Sequence, residues 1–337
     1  MKNNFLKLCL VFLLFLSATA SIAYWAIAKY NVTEDFRAVN DAKNYIQMSH
    51  GHYEGVELRY AKRFLMPEMV GFLNRHLNIN SFLSRHYEQV DRKMIQLNFG
   101  LINIVFVTLT VFLFYLFCKN LGFAEFESLF AGFLFLTSFH VVTNFMLPLV
   151  DSAGCFFVMA CLYAIKKEKL FWLALLFLFG VMAKESTFVV VLMILLTENR
   201  GKLSKLCACL PGFIGYALII APYSSKAGGA NVLQILTNFD LLKGAVSDGV
   251  HSISVFTLIE TVQIFMILWI LFVYALVKCD IPVFLKRQSW LMILPFIMPF
   301  AVGESSVGRV AFYLFPVLIP IALMGIKKIL LDGVERS

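Results

Sequence analysis

Charge is what this chain has least of. Asp, Glu, Lys and Arg make up 15% of its 337 residues, against about 25% in a soluble domain. Beside 60% hydrophobic residues, that deficit excludes an ordinary soluble globule with a polar shell. No Gly-rich strand-to-helix signature and no P-loop occurs in the sequence, so the familiar routes to binding a nucleotide phosphate are missing. Cysteine is absent from the polar loops: Cys9, Cys118, Cys155, Cys161, Cys207, Cys209 and Cys279 lie in apolar runs or at their ends. No disulfide framework is expected, and Cys207-Ala208-Cys209 lacks the partners and spacing of a zinc site.

What fills the space is apolar, with 35 phenylalanines. Runs of membrane length fall at 6–28, 94–118, 128–147, 149–165, 206–222, 255–278, 290–302 and 310–326, where a span needs about 20 residues. The stretch 170–197 is interrupted by Lys184-Glu185-Ser186. Each half is too short for a hydrocarbon core of about 30 Å at about 1.5 Å per residue, so two short helices meeting at a polar apex are expected. The fold class is therefore an all-α polytopic membrane protein of about 8–10 transmembrane helices. Residues 1–337 are expected to form one integral membrane domain with no separate soluble domain, a large first loop at 29–93 and a second loop at 223–254.

The net charge of +8 would point to nucleic acid in a soluble chain. Here the basic residues cluster at the ends of apolar runs: Lys2 and Lys7, Lys119, Lys166 to Lys169, Arg200 to Lys205, Lys278 to Arg287, and Lys327 to Arg336. They read as topology signals and contacts to the lipid bilayer, not as a nucleic-acid surface. If the runs alternate, all fall on one side, which is the cytoplasm. The loop 29–93 also carries many cations, but loops of that length translocate largely regardless of charge, so it faces outward. Residues 17–23, Ser-Ala-Thr-Ala-Ser-Ile-Ala, also have the character of a signal-peptide cleavage region. Retention as a first span is favoured because the apolar stretch continues through Trp25 and Ala28.

With that topology Asp41, Asp151, Lys184, Glu185, Glu304 and Arg309 all face the outer side. Ionisable groups at membrane depth are expensive and usually line a cavity or pathway. Each has a plainer explanation as well: Asp151 can cap the helix it begins, and Lys184 can pair with Glu185. Residues Arg63 to Leu77 place Phe64, Leu65, Met69, Phe72, Leu73 and Leu77 against Arg63, Asn74, Arg75 and His76, the pattern of an amphipathic helix on the outer membrane surface.

Five short motifs carry a resemblance. Asn40-Asp41-Ala42-Lys43-Asn44-Tyr45 follows the first span, and Arg63-Phe64-Leu65-Met66-Pro67 lies deeper in the same loop. Pro148-Leu149-Val150-Asp151, Ala183-Lys184-Glu185-Ser186 and Gly308-Arg309-Val310-Ala311-Phe312-Tyr313-Leu314-Phe315-Pro316 follow. Together they resemble the GT-C glycosyltransferases, the superfamily that includes protein mannosyltransferases and the aminoarabinose transferase of lipid A.

The resemblance implies a GT-C-like bundle in the bacterial cytoplasmic (inner) membrane with its site on the extracytoplasmic face. It implies transfer of a sugar from a polyprenyl-phosphate-linked donor to an envelope glycan, lipid or protein acceptor. Asp41 would be the catalytic base, since attack by an acceptor hydroxyl needs a nearby proton acceptor. Arg309, Lys184 and Arg63 would bind the donor phosphate, where negative charge develops on the leaving group. Tyr45, Asp151, Glu185, Glu304, His50 and His52 would line the cavity. His50 and His52 could join Asp41 or Glu54 around a divalent metal, but paired histidines in a polar loop are commonly solvated, so no metal or other cofactor is expected. A lipid-linked-sugar transporter or flippase, a polysaccharide polymerase and a nonenzymatic scaffold are the alternatives.

Overall fold

A computed structural model describes residues 2–29, 40–76, 90–198, 201–224, 262–296 and 311–334. Among them every regular element is helical. The uninterrupted apolar N-terminal run forms α1, Lys2–Lys29. The first loop folds into α2, Asn40–Ser49, the single turn α3, Leu58–Ala61, and α4, Leu65–His76. The long helix α5, Val90–Asn120, is followed by α6, Glu125–Leu136, α7, Phe139–Thr143, and α8, Asp151–Lys166. Then come α9, Leu170–Ala183, a 3-10 turn over Glu185–Phe188, and α10, Val189–Leu195. The remainder comprises α11, Lys202–Ala208, α12, Leu210–Ser224, α13, Ile267–Lys278, α14, Val283–Gln288, and α15, Phe315–Val334.

Among the described residues four segments are long and apolar enough to cross a membrane: Asn4–Ala26, Leu97–Asn120, Lys202–Ile219 and Phe312–Asp332. Shorter apolar helices occupy Leu170–Ala183, Glu185–Leu195 and Ile267–Lys278. The lipid-facing character of α1 is plain from its side chains. Val11, Phe15, Ala23 and Ala26 are buried, whereas Phe5, Leu6, Leu10, Leu13, Leu14 and Trp25 point outward. Such an exposed apolar face would be a liability in water and is the expected surface in lipid.

Small residues set how closely the helices approach. Gly132 of α6 accepts the Phe15 ring of α1, since a methyl group there would lie 2.6 Å from the ring edge. Gly325 of α15 faces the Leu271 carbonyl of α13, 2.7 Å from the position a Cβ would take. Phe114, Phe135, Phe312 and Phe315 fill the space between with edge and stacked contacts at centroid distances of 4.4–6.5 Å, within the range aromatic pairs favour.

Two expectations are modified. The apolar run 128–147 is divided, because the helix stops at Leu136. There Thr137 and Ser138 turn their hydroxyls back onto the Phe133 and Phe135 carbonyls, the local competition that ends helices. In the loop helix only part of the expected stripe packs inward, Phe64, Leu65 and Leu73 lying half-buried against the neighbouring core. Met66, Pro67, Val70 and Gly71 face inward, while Met69 and Phe72 stay exposed. A polar helix, α2, together with α5, is the surface that α4 packs upon, and Gly71 lets α4 approach the Ser49 carbonyl at the end of α2.

Candidate functional site

Asp151 sits where the chain leaves the irregular segment 144–150 and enters α8. Asn103 of α5 fixes that entry: its amide donates to the Leu147 carbonyl at 2.7 Å, and it accepts from Ser152. Gly154, one turn on, leaves room for two neighbours. A Cβ there would lie 2.9 Å from the Tyr313 hydroxyl and 3.1 Å from Lys184 Cβ. Both side chains use the space: Lys184 Nζ reaches Asp151 Oδ1 at 2.5 Å, and the Tyr313 hydroxyl donates to the Asp151 carbonyl at 3.3 Å. The Lys184 ammonium also lies 5.5 Å from the Tyr313 ring centroid, within cation–π range.

Lys184 owes its position to the break between α9 and α10. Helix α9 ends at Ala183, Lys184 is extended at φ −163° and ψ 136°, and the chain re-enters helix through the 3-10 turn. Thr187 braces the break by donating to the Gly180 carbonyl at 3.0 Å, a carbonyl that also accepts the Lys184 backbone N–H at 2.8 Å, so the last turn of α9 is held on both sides. The turn points Lys184 toward α8 and Glu185 toward the first loop.

Glu185 meets Arg63. The guanidinium forms a two-pronged pair with the carboxylate, Nε to Oε2 at 2.8 Å and one terminal nitrogen to Oε1. Its other terminal nitrogen donates to the Tyr45 hydroxyl at 2.8 Å. Lys62 Nζ stands 3.5 Å from the same Glu185 carboxylate. From Tyr45 the connection continues through an edge-on contact with Tyr60, 5.8 Å between centroids, to Asp41, which accepts from the Tyr60 hydroxyl at 3.0 Å. The i, i+3, i+6 spacing of Ala42, Tyr45 and Met48 buries one side of α2 and anchors Tyr45.

The electrostatics tie these groups into one neighbourhood. Burial pushes the Tyr45 phenol well above its ordinary value against the Arg63 guanidinium, which pulls it down, and the negative charges of Asp151 and Asp41 add to the rise. Tyr45 therefore stays a neutral phenol at any physiological pH. Burial works to lower the Arg63 pKa, but the bonds to Glu185 and Tyr45 outweigh it, and the guanidinium is held in its charged form. Lys62, Arg63 and Lys184 are opposed by Asp41, Asp151 and Glu185, so the charges balance within the cluster.

The structure thus brings together Asp41, Tyr45, Arg63, Asp151, Lys184 and Glu185. Arg63 and Lys184 are not open cations awaiting an anion, because each is already paired to a carboxylate. Arg63 still has one N–H on each terminal nitrogen beyond the three bonds it makes to Glu185 and Tyr45. His50 and His52 stand exposed in the turn after α2. No group of three metal-ligating side chains occurs among the described residues. Arg309 and Glu304 lie outside the described residues, as does most of the loop 223–254. Tyr60, Lys62 and Tyr313 belong to the cluster and were not singled out by sequence. Lys62 adjoins Arg63 and Tyr313 lies four residues past Arg309, but only the fold shows what each touches.

Lysines gather at the opposite end of the same helices. Lys7 of α1 pairs with Glu125 at 2.8 Å, Lys119 approaches the same carboxylate at 3.4 Å, and Lys327 pairs with Glu127 at 2.9 Å. Comparison with protein-family models, with curated proteins and with solved structures finds no match to this chain.

Proposed function

We propose that this chain is a membrane glycosyltransferase of GT-C type that moves a sugar from a polyprenyl-phosphate-linked donor to an envelope acceptor on the extracytoplasmic face. The observation that carries the reading is the convergence of Asp41, Arg63, Asp151, Lys184 and Glu185, from four separated stretches of chain, at one end of an apolar helical bundle. Buried charge of this density is costly in lipid and is kept where it acts on a substrate. Its residues are those of the motifs that resemble the superfamily.

In this reading the acceptor oxygen attacks the anomeric carbon while the carbon–oxygen bond to the lipid phosphate breaks. The acceptor proton passes to the Asp41 carboxylate, which the Tyr60 hydroxyl orients. The electron pair of the broken bond leaves with the polyprenyl phosphate. The N–H groups that Arg63 has beyond its bonds to Glu185 and Tyr45, with those of Lys62, Lys184 and Arg309, donate to the oxygens on which that charge develops. Glu185 and Asp151 hold the cations in place before the donor arrives, so that little reorganisation is needed during the reaction.

The reading is tested by mass spectrometry of lipid-linked intermediates and envelope glycans in cells with the chain, without it, and with Asp41→Asn. A transferase predicts that one lipid-linked sugar accumulates and one glycan modification disappears, both without the chain and in the variant. A transporter tolerates Asp41→Asn, or leaves the accumulated donor on the cytoplasmic leaflet, inaccessible to an impermeant glycan-cleaving enzyme in intact spheroplasts.

A further inference from the structure

The lysine end of the bundle contains a cleft that the proposed transfer does not use. Its volume is about 460 Å³, and it opens between the end of α5, the start of α6, and the last turns of α13 and α15. One wall is apolar, formed by Phe123, Met324 and Leu331. The rim is polar, with Lys278, Lys327 and Lys328 beside Glu127 and Asp280. Leu97–Asn120 and Phe312–Asp332 are both long enough to cross a membrane, so a cleft at their shared end lies at the boundary between hydrocarbon and water.

We propose that this cleft binds an anionic glycerophospholipid with a hydroxylated headgroup, such as phosphatidylglycerol. The charges select it. Two of the three lysines on the lining are answered by carboxylates, and the ammonium of the third, Lys278, matches the single negative charge of a phosphodiester. Lys327 is engaged by Glu127 at 2.9 Å and Lys328 by Asp332 at 2.6 Å, whereas Lys278 makes no ion pair among the described residues. Lys278 is therefore the phosphate ligand. Asp280, exposed beside it, accepts hydrogen bonds from headgroup hydroxyls. The apolar wall receives the first part of an acyl chain, which a soluble phosphate ester lacks. Basic pockets between membrane helices take lipid headgroups in this way.

The test is native mass spectrometry of the purified full chain in detergent, titrated with phosphatidylglycerol, phosphatidylethanolamine or phosphatidylcholine of identical acyl chains, and with glycerol 3-phosphate. Phosphatidylglycerol should be retained preferentially, and glycerol 3-phosphate should not bind measurably. Lys278→Gln should weaken phosphatidylglycerol retention about fivefold, the loss expected for one lysine near an anionic headgroup, with an unchanged melting temperature. Lys169→Gln, which removes an exposed lysine from the same end but outside the cleft, should change retention little. Equal losses in the two variants would reduce the effect to general surface attraction and overturn the site. Equal or better retention of phosphatidylethanolamine would overturn the headgroup assignment, and binding of glycerol 3-phosphate would show that no lipid is required.

Discussion

The two ends of this bundle spend their charge differently. At one end Arg63 and Glu185 are 122 residues apart in sequence, and Lys184 and Asp151 are 33 apart; their side chains are at most 28% exposed. At the other end the lysines of the ion pairs are 38–59% exposed, and one pair, Lys328 with Asp332, spans a single helical turn. Exposed pairs contribute little and are compatible with a role in setting topology. Buried pairs contribute little net stability once desolvation is counted, yet breaking one leaves an uncompensated charge. The comparison teaches that the first end carries its charge at a desolvation cost that the exposed pairs of the second end avoid.

The sharpest way to break that comparison is to remove one buried partner. Lys184→Met leaves Asp151, at 1% exposure, without its ammonium, and should destabilise the protein in detergent by about 3–5 kcal/mol. Adding Asp151→Asn should recover part of the loss, with a coupling of about 0.5–3 kcal/mol. Thermal unfolding followed by tryptophan fluorescence measures both; strictly additive losses would mean the pair does not act as a unit.

Arg63→Lys is the next largest effect. A lysine keeps the charge but cannot hold both Glu185 oxygens and Tyr45 together, so a loss of about 1.5–3 kcal/mol is expected from the missing charge-assisted bonds. Protease resistance of the first loop should fall in parallel, because Arg63 ties that loop to Glu185. An unchanged digestion pattern would count against the tie.

A packing change on the α1 contact sharpens the contrast by leaving both charged ends alone. Gly132→Ala drives a methyl group against the Phe15 ring and should cost about 1–3 kcal/mol through overpacking. Pairing it with Phe15→Leu should relieve much of the cost, read as recovery of the melting temperature. At the small end of the scale, Lys327→Met at the exposed pair with Glu127 should shift stability by no more than about 1 kcal/mol. A loss as large as that of Lys184→Met would erase the distinction between the two ends.

Much of this was legible in the sequence. Composition and run length suffice for a helical membrane protein, and Lys184-Glu185-Ser186 announces the break after α9 because a charged triplet cannot continue an apolar span. The division of 128–147 was hidden, since Thr137 and Ser138 are compatible with helix and end it only through their particular hydrogen bonds. Partnership was equally hidden. Lys184 is adjacent to Glu185 in sequence, but its extended backbone sends the two side chains to different partners, Asp151 and Arg63. A single sequence carries no signal for that choice.

The most direct test of the account is sugar transfer itself. Membrane vesicles containing the wild-type chain or Asp41→Asn at equal levels are supplied with the lipid-linked sugar that accumulates in cells lacking the chain. Product is then measured over time. The account predicts a fall in rate of about 10²-fold or more for Asp41→Asn, the usual contribution of a general base, while Glu54→Gln in the exposed turn of the same loop retains the wild-type rate. Wild-type transfer by Asp41→Asn would contradict the account.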